Sequence, residues 1–506
     1  MLKKLRIAVS IIFFTFITLY FLDFAGILPE WLNWAVKIQF ASALLAFNFG
    51  VLAVLILITL LFGRIYCSSI CPMGVFQDIV GWFSKRTGKK KKRYKYAPPK
   101  NILRWSILGV TIFLFIIGFP AFLGLIEPYS AFGRMIVNVF KPIYLAGNNL
   151  LSYLFSSFGN YIFYHVNVSI ISIFSFVIGM VTFFTIGFLA WRYGRSYCNA
   201  ICPVGTVLGF LSKFSLFKTR INQEKCNSCR LCAIKCKASC IDAASKKIDH
   251  SRCVNCFNCL NICTRDALQY SLSVKKKITV EEKNNGRRQF LLTSLASIAT
   301  IPTAMAQEKT GLFVTPEKSS ARETAIAPPG ALSVKHLQQH CTSCHLCISK
   351  CPLNVLKPAF LEYGLEGLMQ PVMYFKKGFC NYDCIICSNV CPNGALQPLT
   401  IEEKHATQVG RVVLRWGRCV VRTDETSCGA CAEHCPTQAV KMIPFRNGLT
   451  RPVVDTEICV GCGGCEFICP VRPHTAIFVE GNNIHQEAKI VIDEKNKDLI
   501  IDDFGF

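Results

Sequence analysis

Twenty-four of the 29 cysteines in this 506-residue chain fall into six groups of four, most of them spaced C-x-x-C-x-x-C-x-x-x-C or a close variant. A loop of that kind brings three thiolates onto three irons of a [4Fe–4S] core, and a more distant cysteine supplies the fourth corner. The repetition argues against a disulfide scaffold, which would be a short chain without this spacing.

Two groups come first: Cys226, Cys229, Cys232 and Cys236, then Cys253, Cys256, Cys259 and Cys263. In two-cluster ferredoxins the last cysteine of each run ligates the other cluster, so Cys263 is expected to join the first run and Cys236 the second. Lys237 and Thr264 stand where a proline usually follows, and Cys240 is left over as a packing residue. Four groups follow later: Cys341, Cys344, Cys347 and Cys351; Cys380, Cys384, Cys387 and Cys391; Cys419, Cys428, Cys431 and Cys435; and Cys459, Cys462, Cys465 and Cys469. All four end in C-x-x-x-C-P, which separates them from zinc knuckles. Spacing leaves their exchange open, because first-with-second and first-with-fourth pairings both keep the count. Six [4Fe–4S] clusters are therefore expected on these 24 cysteines.

Apolar stretches at about 6–28, 40–62, 102–125 and 168–190 each approach the roughly 20 residues that span a bilayer. Basic residues before the first stretch (Lys3, Lys4, Arg6), after the second (Arg86 to Arg93) and after the fourth (Arg192, Arg195, Lys213, Arg220) place both ends of the bundle in the cytoplasm. The segment 126–167, with its amphipathic stretch Ala131 to Leu145, is expected on the outer surface. Asp23, Glu127 and His165 near that face are candidate proton acceptors for a quinol, with helix capping as the plainer role.

Asn285-Gly286-Arg287-Arg288-Gln289-Phe290-Leu291-Leu292, a mildly apolar run and Ala304-Met305-Ala306 follow the grammar of a twin-arginine export signal. The expected organisation is a membrane domain (1–220), a cytoplasmic two-cluster domain (221–274), the signal or a fifth membrane segment (275–306), a Pro- and Ser-rich linker (307–333), a periplasmic four-cluster domain (334–480) and a tail (481–506). Cleavage after Ala306 would give two polypeptides. The fold class is multidomain: a four-helix transmembrane bundle plus α+β bacterial-ferredoxin-like domains.

Gly63-Arg64-Ile65-Tyr66-Cys67-Ser68-Ser69-Ile70-Cys71-Pro72 recurs as Gly194-Arg195-Ser196-Tyr197-Cys198-Asn199-Ala200-Ile201-Cys202-Pro203. Each copy follows an outward-to-inward span, so Cys67, Cys71, Cys198 and Cys202 are candidates for a redox-active or metal-ligating site at the cytoplasmic membrane face, with small buried side chains as the alternative.

The net charge of +25 points toward nucleic acid only superficially. Each cluster with four thiolates adds about two negative charges, and much of the basic excess lies in the run Lys85 to Lys100 beside a hydrophobic segment. No nucleic-acid partner is expected, and no nucleotide-binding loop, catalytic triad or haem-attachment site is visible.

The paired C-x-x-x-C-P motifs between spans, followed by two cluster runs, resemble the NapH-type membrane subunit of periplasmic nitrate-reductase systems. Residues 287 to about 480 resemble its NapG/MauM-type partner ferredoxin, which likewise carries a C-x-x-x-C run and a long-gap run like those at Cys380 and Cys419. The resemblance implies a fusion of the two in the bacterial inner membrane. It would oxidise menaquinol or ubiquinol from the quinone pool and pass electrons to a periplasmic reductase of nitrate or nitrous-oxide type, or to a c-type cytochrome. Two alternatives stand beside it: an electron donor for maturation, as in NosR-type proteins, and a CcoG-like metal reductase.

Overall fold

Four apolar helices organise the chain: Leu2–Leu22, Phe49–Phe62, Asn101–Ile116 and Ile173–Tyr193. The computed structural model describes residues 1–24, 26–87, 94–159, 161–168, 171–272 and 322–489. The export-signal segment, residues 88–93 of the basic run and the end of the tail lie outside these residues.

Only the first and last of the four helices are long and apolar enough to cross a membrane, at 21 residues each. The other two, 14 and 16 residues, are shorter than the expected stretches because both stretches break. Residues 40–62 turn at Phe47, in the left-handed region (φ 51°), and Asn48 starts a new helix by accepting the Val51 N–H. Residues 102–125 break at Gly118 (φ 93°), ahead of Pro120. All four helices turn large apolar side chains outward. Leu5, Ile11, Leu57, Phe113, Phe184 and Phe188 are each more than half exposed.

Residues 127–139 do not lie on the surface as expected, whereas most of 146–167 is exposed. Helix Pro128–Met135 is buried along its whole length, and its N-terminus is capped by the Glu127 carboxylate, which accepts from the N–H groups of Tyr129 and Ser130. The apolar face of this stretch packs inward against Phe21 and Phe14 of the first helix, so its amphipathicity marks an internal element.

Two cysteine-rich blocks of small antiparallel sheets complete the described residues. In the first, β1 (Phe217–Ile221) pairs with β4 (Leu268–Leu272), and β2 (Ile241–Asp242) with β3 (Lys247–Ile248). In the second, β5 (Leu356–Pro358) pairs with β6 (Pro371–Met373), β8 (Val440–Pro444) with β9 (Thr450–Val454), and β7 (Thr407–Leu414) with β10 (Ile477–Glu487). Residues 322–333, expected in the linker, belong to this block: Ile326, Ala327 and Ala331 are buried, and Arg322 pairs with Glu466. Residues 481–487, expected in the tail, continue β10.

The second and fourth apolar helices have one end at each block, the first has an end at the second block and the third an end at the first. At the first block, Asn255 and Tyr270 donate to the Phe62 carbonyl, Arg104 donates to Ser251, and the Arg195 N–H donates to the Lys237 carbonyl. At the second, Lys350 forms a buried ion pair with Asp23 (2.5 Å), Ser349 donates to the Phe21 carbonyl (2.6 Å), and Phe174 packs on Phe360. The blocks therefore sit at opposite ends of the helices, separated by about 30 Å for a 21-residue helix at 1.5 Å per residue.

Contact with the second block is close enough to exclude a methyl group. A Cβ on Gly133 would stand 2.5 Å from the Cys344 carbonyl oxygen and under 3 Å from the Phe21 ring. Gly133→Ala should therefore cost about 1–3 kcal/mol by overpacking and loosen the seat of this block. Earlier proteolysis of residues 322–489, with the helices still protected, is the expected readout.

Candidate cluster-binding sites

Four of the six cysteine runs share one backbone device. The residues on either side of the second cysteine, Ser228 and Arg230, Asn255 and Phe257, Ser343 and His345, Gly461 and Gly463, all have φ between 45° and 80°. Left-handed residues alternating with ordinary ones curl the backbone into a nest whose N–H groups point at a bound anion, as at many iron–sulfur sites. Six of these eight residues are not glycine, and each bears a conformational cost of about 1–2 kcal/mol. The two runs with irregular spacing, from Cys380 and from Cys428, lack the alternation.

The loops enclose rooms lined by sulfur. Cys226, Cys229, Cys232 and Cys263 line one; Cys253, Cys256, Cys259 and Cys236 line the next. The exchange expected for the first block is therefore present in its geometry. In the second block Cys341, Cys344 and Cys347 meet Cys391, while Cys380, Cys384 and Cys387 meet Cys351. Cys419, Cys428 and Cys431 meet Cys469, and Cys435 stands with Cys459, Cys462 and Cys465. First thus pairs with second and third with fourth, a choice that spacing left open.

The donor set suits an iron–sulfur core. All ligand candidates are soft sulfur, with neither imidazole nor carboxylate among them, and none of the 29 cysteines forms a disulfide. Among the described residues no group of three or more His, Cys, Asp or Glu closes around a single metal ion. Burial pushes the Cys344 and Cys431 thiols up to about 12 and Cys380 and Cys462 up to about 11, so a metal core is needed to hold them as thiolates at neutral pH.

Two neighbours were given no such part by the spacing. Cys240, expected as packing, is fully buried in the second room, 3.5 Å from Cys236, and a hydrogen bond between them holds the Cys236 thiol below its usual range. A hydrogen bond to a ligating sulfur stabilises the reduced cluster. Cys240→Ala should lower that cluster's potential by about 40 mV in an EPR-monitored titration, taking roughly 1 kcal/mol for the bond and 59 mV per tenfold. His345 is pushed down to about 3 by burial and the nearby Arg134 guanidinium. It is therefore neutral, bridging Asn138 (3.2 Å) and the Met369 carbonyl (3.1 Å).

The candidate proton acceptors are otherwise engaged or distant. Asp23 is paired with Lys350, Glu127 caps a helix, and His165 is exposed. Cys67, Cys71, Cys198 and Cys202 are brought into one buried cluster between the two blocks.

A family described as 4Fe-4S binding domain matches residues 44–90, 172–222 and 385–401, and families described as 4Fe-4S dicluster domain match 249–355 and 426–472. The match over 249–355 joins two runs that the geometry assigns to different blocks. Ferredoxin-type protein NapG of Escherichia coli K12 is 30% identical over 196 residues, covering 37% of this chain and 81% of its own length. Methylamine utilization ferredoxin-type protein MauM of Methylophilus methylotrophus is 30% identical over 167 residues, 31% of this chain and 72% of its own. Ferredoxin-type protein NapF of Escherichia coli K12 is 28% identical over 157 residues, 31% of this chain and 87% of its own. No solved structure matches the chain.

Proposed function

This chain belongs to the ferredoxin-type iron–sulfur electron-transfer proteins that include NapG and MauM, and from that premise we propose that it is a membrane-bound quinol dehydrogenase subunit. In this reading the apolar helices form a multi-pass bundle in a bacterial inner membrane, with the first block cytoplasmic and the second periplasmic. The 24 grouped cysteines hold six [4Fe–4S] clusters. Menaquinol or ubiquinol is the donor, and a periplasmic reductase of nitrate or nitrous-oxide type, or its c-type cytochrome, is the acceptor.

The observation that carries the reading is the seating of the two blocks at opposite ends of helices whose outward faces are apolar. An apolar belt between two polar modules is what a bilayer requires, and water would disfavour that much contiguous exposed apolar surface. When bound, each cluster carries one electron at a time. The protein's part is to hold neighbouring rooms close by exchanging their last cysteines, to aim nest N–H groups at the sulfurs, and to exclude water by burying them.

The test is anaerobic purification from membranes, with iron quantified and EPR spectra recorded after dithionite and after a menaquinol analogue. At least about 24 iron atoms per chain, with signals that the quinol analogue raises, are expected. Full loading that dithionite reduces and quinol does not would overturn the quinol reading in favour of an accessory donor.

A further inference from the structure

The repeated C-x-x-x-C-P segments build one site from two halves. Cys67 lies in the short helix Ile65–Ser69 and Cys198 in its counterpart Ser196–Ala200. Cys71 and Cys202 stand at the entrances of the helices Pro72–Thr87 and Pro203–Leu211. All four are within a few per cent of full burial and share one core.

The halves clasp each other reciprocally. Arg64 Nη2 donates to the carbonyl of Cys198 (3.1 Å), and Arg195 Nη1 donates to the carbonyl of Cys67 (2.5 Å). Each arginine fits because its landing point is opposite a glycine: a Cβ on Gly205 would come within 2.9 Å of Arg64, and one on Gly74 within 2.8 Å of Arg195.

The surroundings are those of a negatively charged sulfur centre. Gln77 Nε2 donates toward the Cys198 sulfur (3.1 Å), Arg64 Nη2 toward the Cys67 sulfur (3.7 Å) and the Gly205 N–H toward the Cys202 sulfur (3.2 Å). Arg195 is neutralised by Asp78, whereas the fully buried Arg64 bonds only to neutral groups and these sulfurs, and its Nε has no partner. A buried guanidinium without a carboxylate calls for another anion, and four thiolates on a metal core supply it.

The site also stands between the blocks. On one side Arg64 donates to the Ser251 carbonyl, two residues from Cys253, and Asn199 donates to the Ala238 carbonyl, two from Cys236. On the other, Tyr197 donates to the Ile126 carbonyl (2.6 Å), two residues before the helix whose Ser130 and Arg134 hold Thr342 and Ser343, between Cys341 and Cys344.

We infer that Cys67, Cys71, Cys198 and Cys202 together ligate one further iron–sulfur cluster, through which electrons pass between the two ferredoxin blocks. The relay role rests on the two-sided placement proposed above; the metal site does not. One electron enters from a reduced cluster of one block and leaves to an oxidised cluster of the other, with no net change at the site.

The wild-type full-length protein, purified anaerobically from membranes, should carry about two to four iron atoms beyond the roughly 24 of six clusters. The double variant Cys71→Ser/Cys202→Ser should lose only that excess and keep the other EPR signals. Iron limited to the six clusters in the wild type, or zinc or copper held in its place, overturns the proposal whether or not the variant folds. In sealed membrane vesicles, dithionite confined to one face should reduce clusters of both blocks in the wild type and of one block in the variant. Equal reduction in both proteins, or reduction of one block only in the wild type, overturns the relay and leaves the iron count to judge the site.

Discussion

Cys344→Ser and Cys391→Ser are expected to abolish the same cluster, although the two residues lie in different runs. Each single variant should lose about four iron atoms and one EPR component, since a cubane that misses a corner thiolate is exposed to hydrolysis. The double variant Cys344→Ser/Cys391→Ser should lose no more than either single one, because both sulfurs line the same room. Cys384→Ser/Cys391→Ser, two cysteines of one run, should instead lose about eight, because Cys384 faces the room completed by Cys351. Non-additivity of this kind reports shared partners directly. The opposite pattern, with the same-run pair losing four and the cross-run pair eight, would mean that each run keeps its own last cysteine. Quinol-driven reduction of any downstream acceptor should fall to background wherever the lost cluster lies in the only relay.

The pairing shows where sequence reading stops. Ligand identity is local, because C-x-x-C-x-x-C fits a single tight loop, so the candidate cysteines were legible from spacing alone. The partner of each fourth cysteine depends on how the runs pack in three dimensions, which spacing does not record. The left-handed residues were hidden for a different reason: Ser, Arg, Asn, Phe and His occupy positions where glycine would have signalled positive φ, and only Gly461 and Gly463 do so openly. The repeat was visible and its cysteines were singled out, yet Arg64 had no role and Arg195 counted only as a flanking basic residue. Their function is to reach into the opposite half, which no single copy reveals. The apolar helices read well in position and less well in length, since hydropathy is blind to the breaks at Phe47 and Gly118. Residues 127–139 were misread because an amphipathic pattern is the same whether its apolar face meets lipid or a buried core.

The largest loss of stability should come from Asp78, one carboxylate that holds three parts of the chain. Its oxygens receive Arg6 of the first helix (3.0 Å), Arg195 of the second repeat (2.8 Å) and Lys237 of the first block (3.0 Å), with the Asp78 and Arg side chains only 1–11% exposed. Those cations hold its carboxyl far below the usual carboxylate range despite burial. Asp78→Asn keeps the shape and removes the charge, leaving two nearly buried guanidinium groups and one ammonium without a counter-ion. Breaking a buried pair in this way costs about 3–5 kcal/mol. Lys237→Met should cost less, because Lys237 is more exposed and Asp78 keeps both arginines. Thermal unfolding in detergent, followed through helix content, checks both; equal and small shifts would mean that water screens the site. The pH dependence carries a sign of its own. A carboxyl whose folded pKa is depressed contributes its full stability above its unfolded value near 3.9 and loses it only as pH falls toward the folded one. Between pH 8 and 5 the wild-type network should therefore hold constant, and acid sensitivity in that window would have to originate at other groups, among them His485, which burial pushes down to about 4 and which must be held neutral against protonation as the pH drops below about 6.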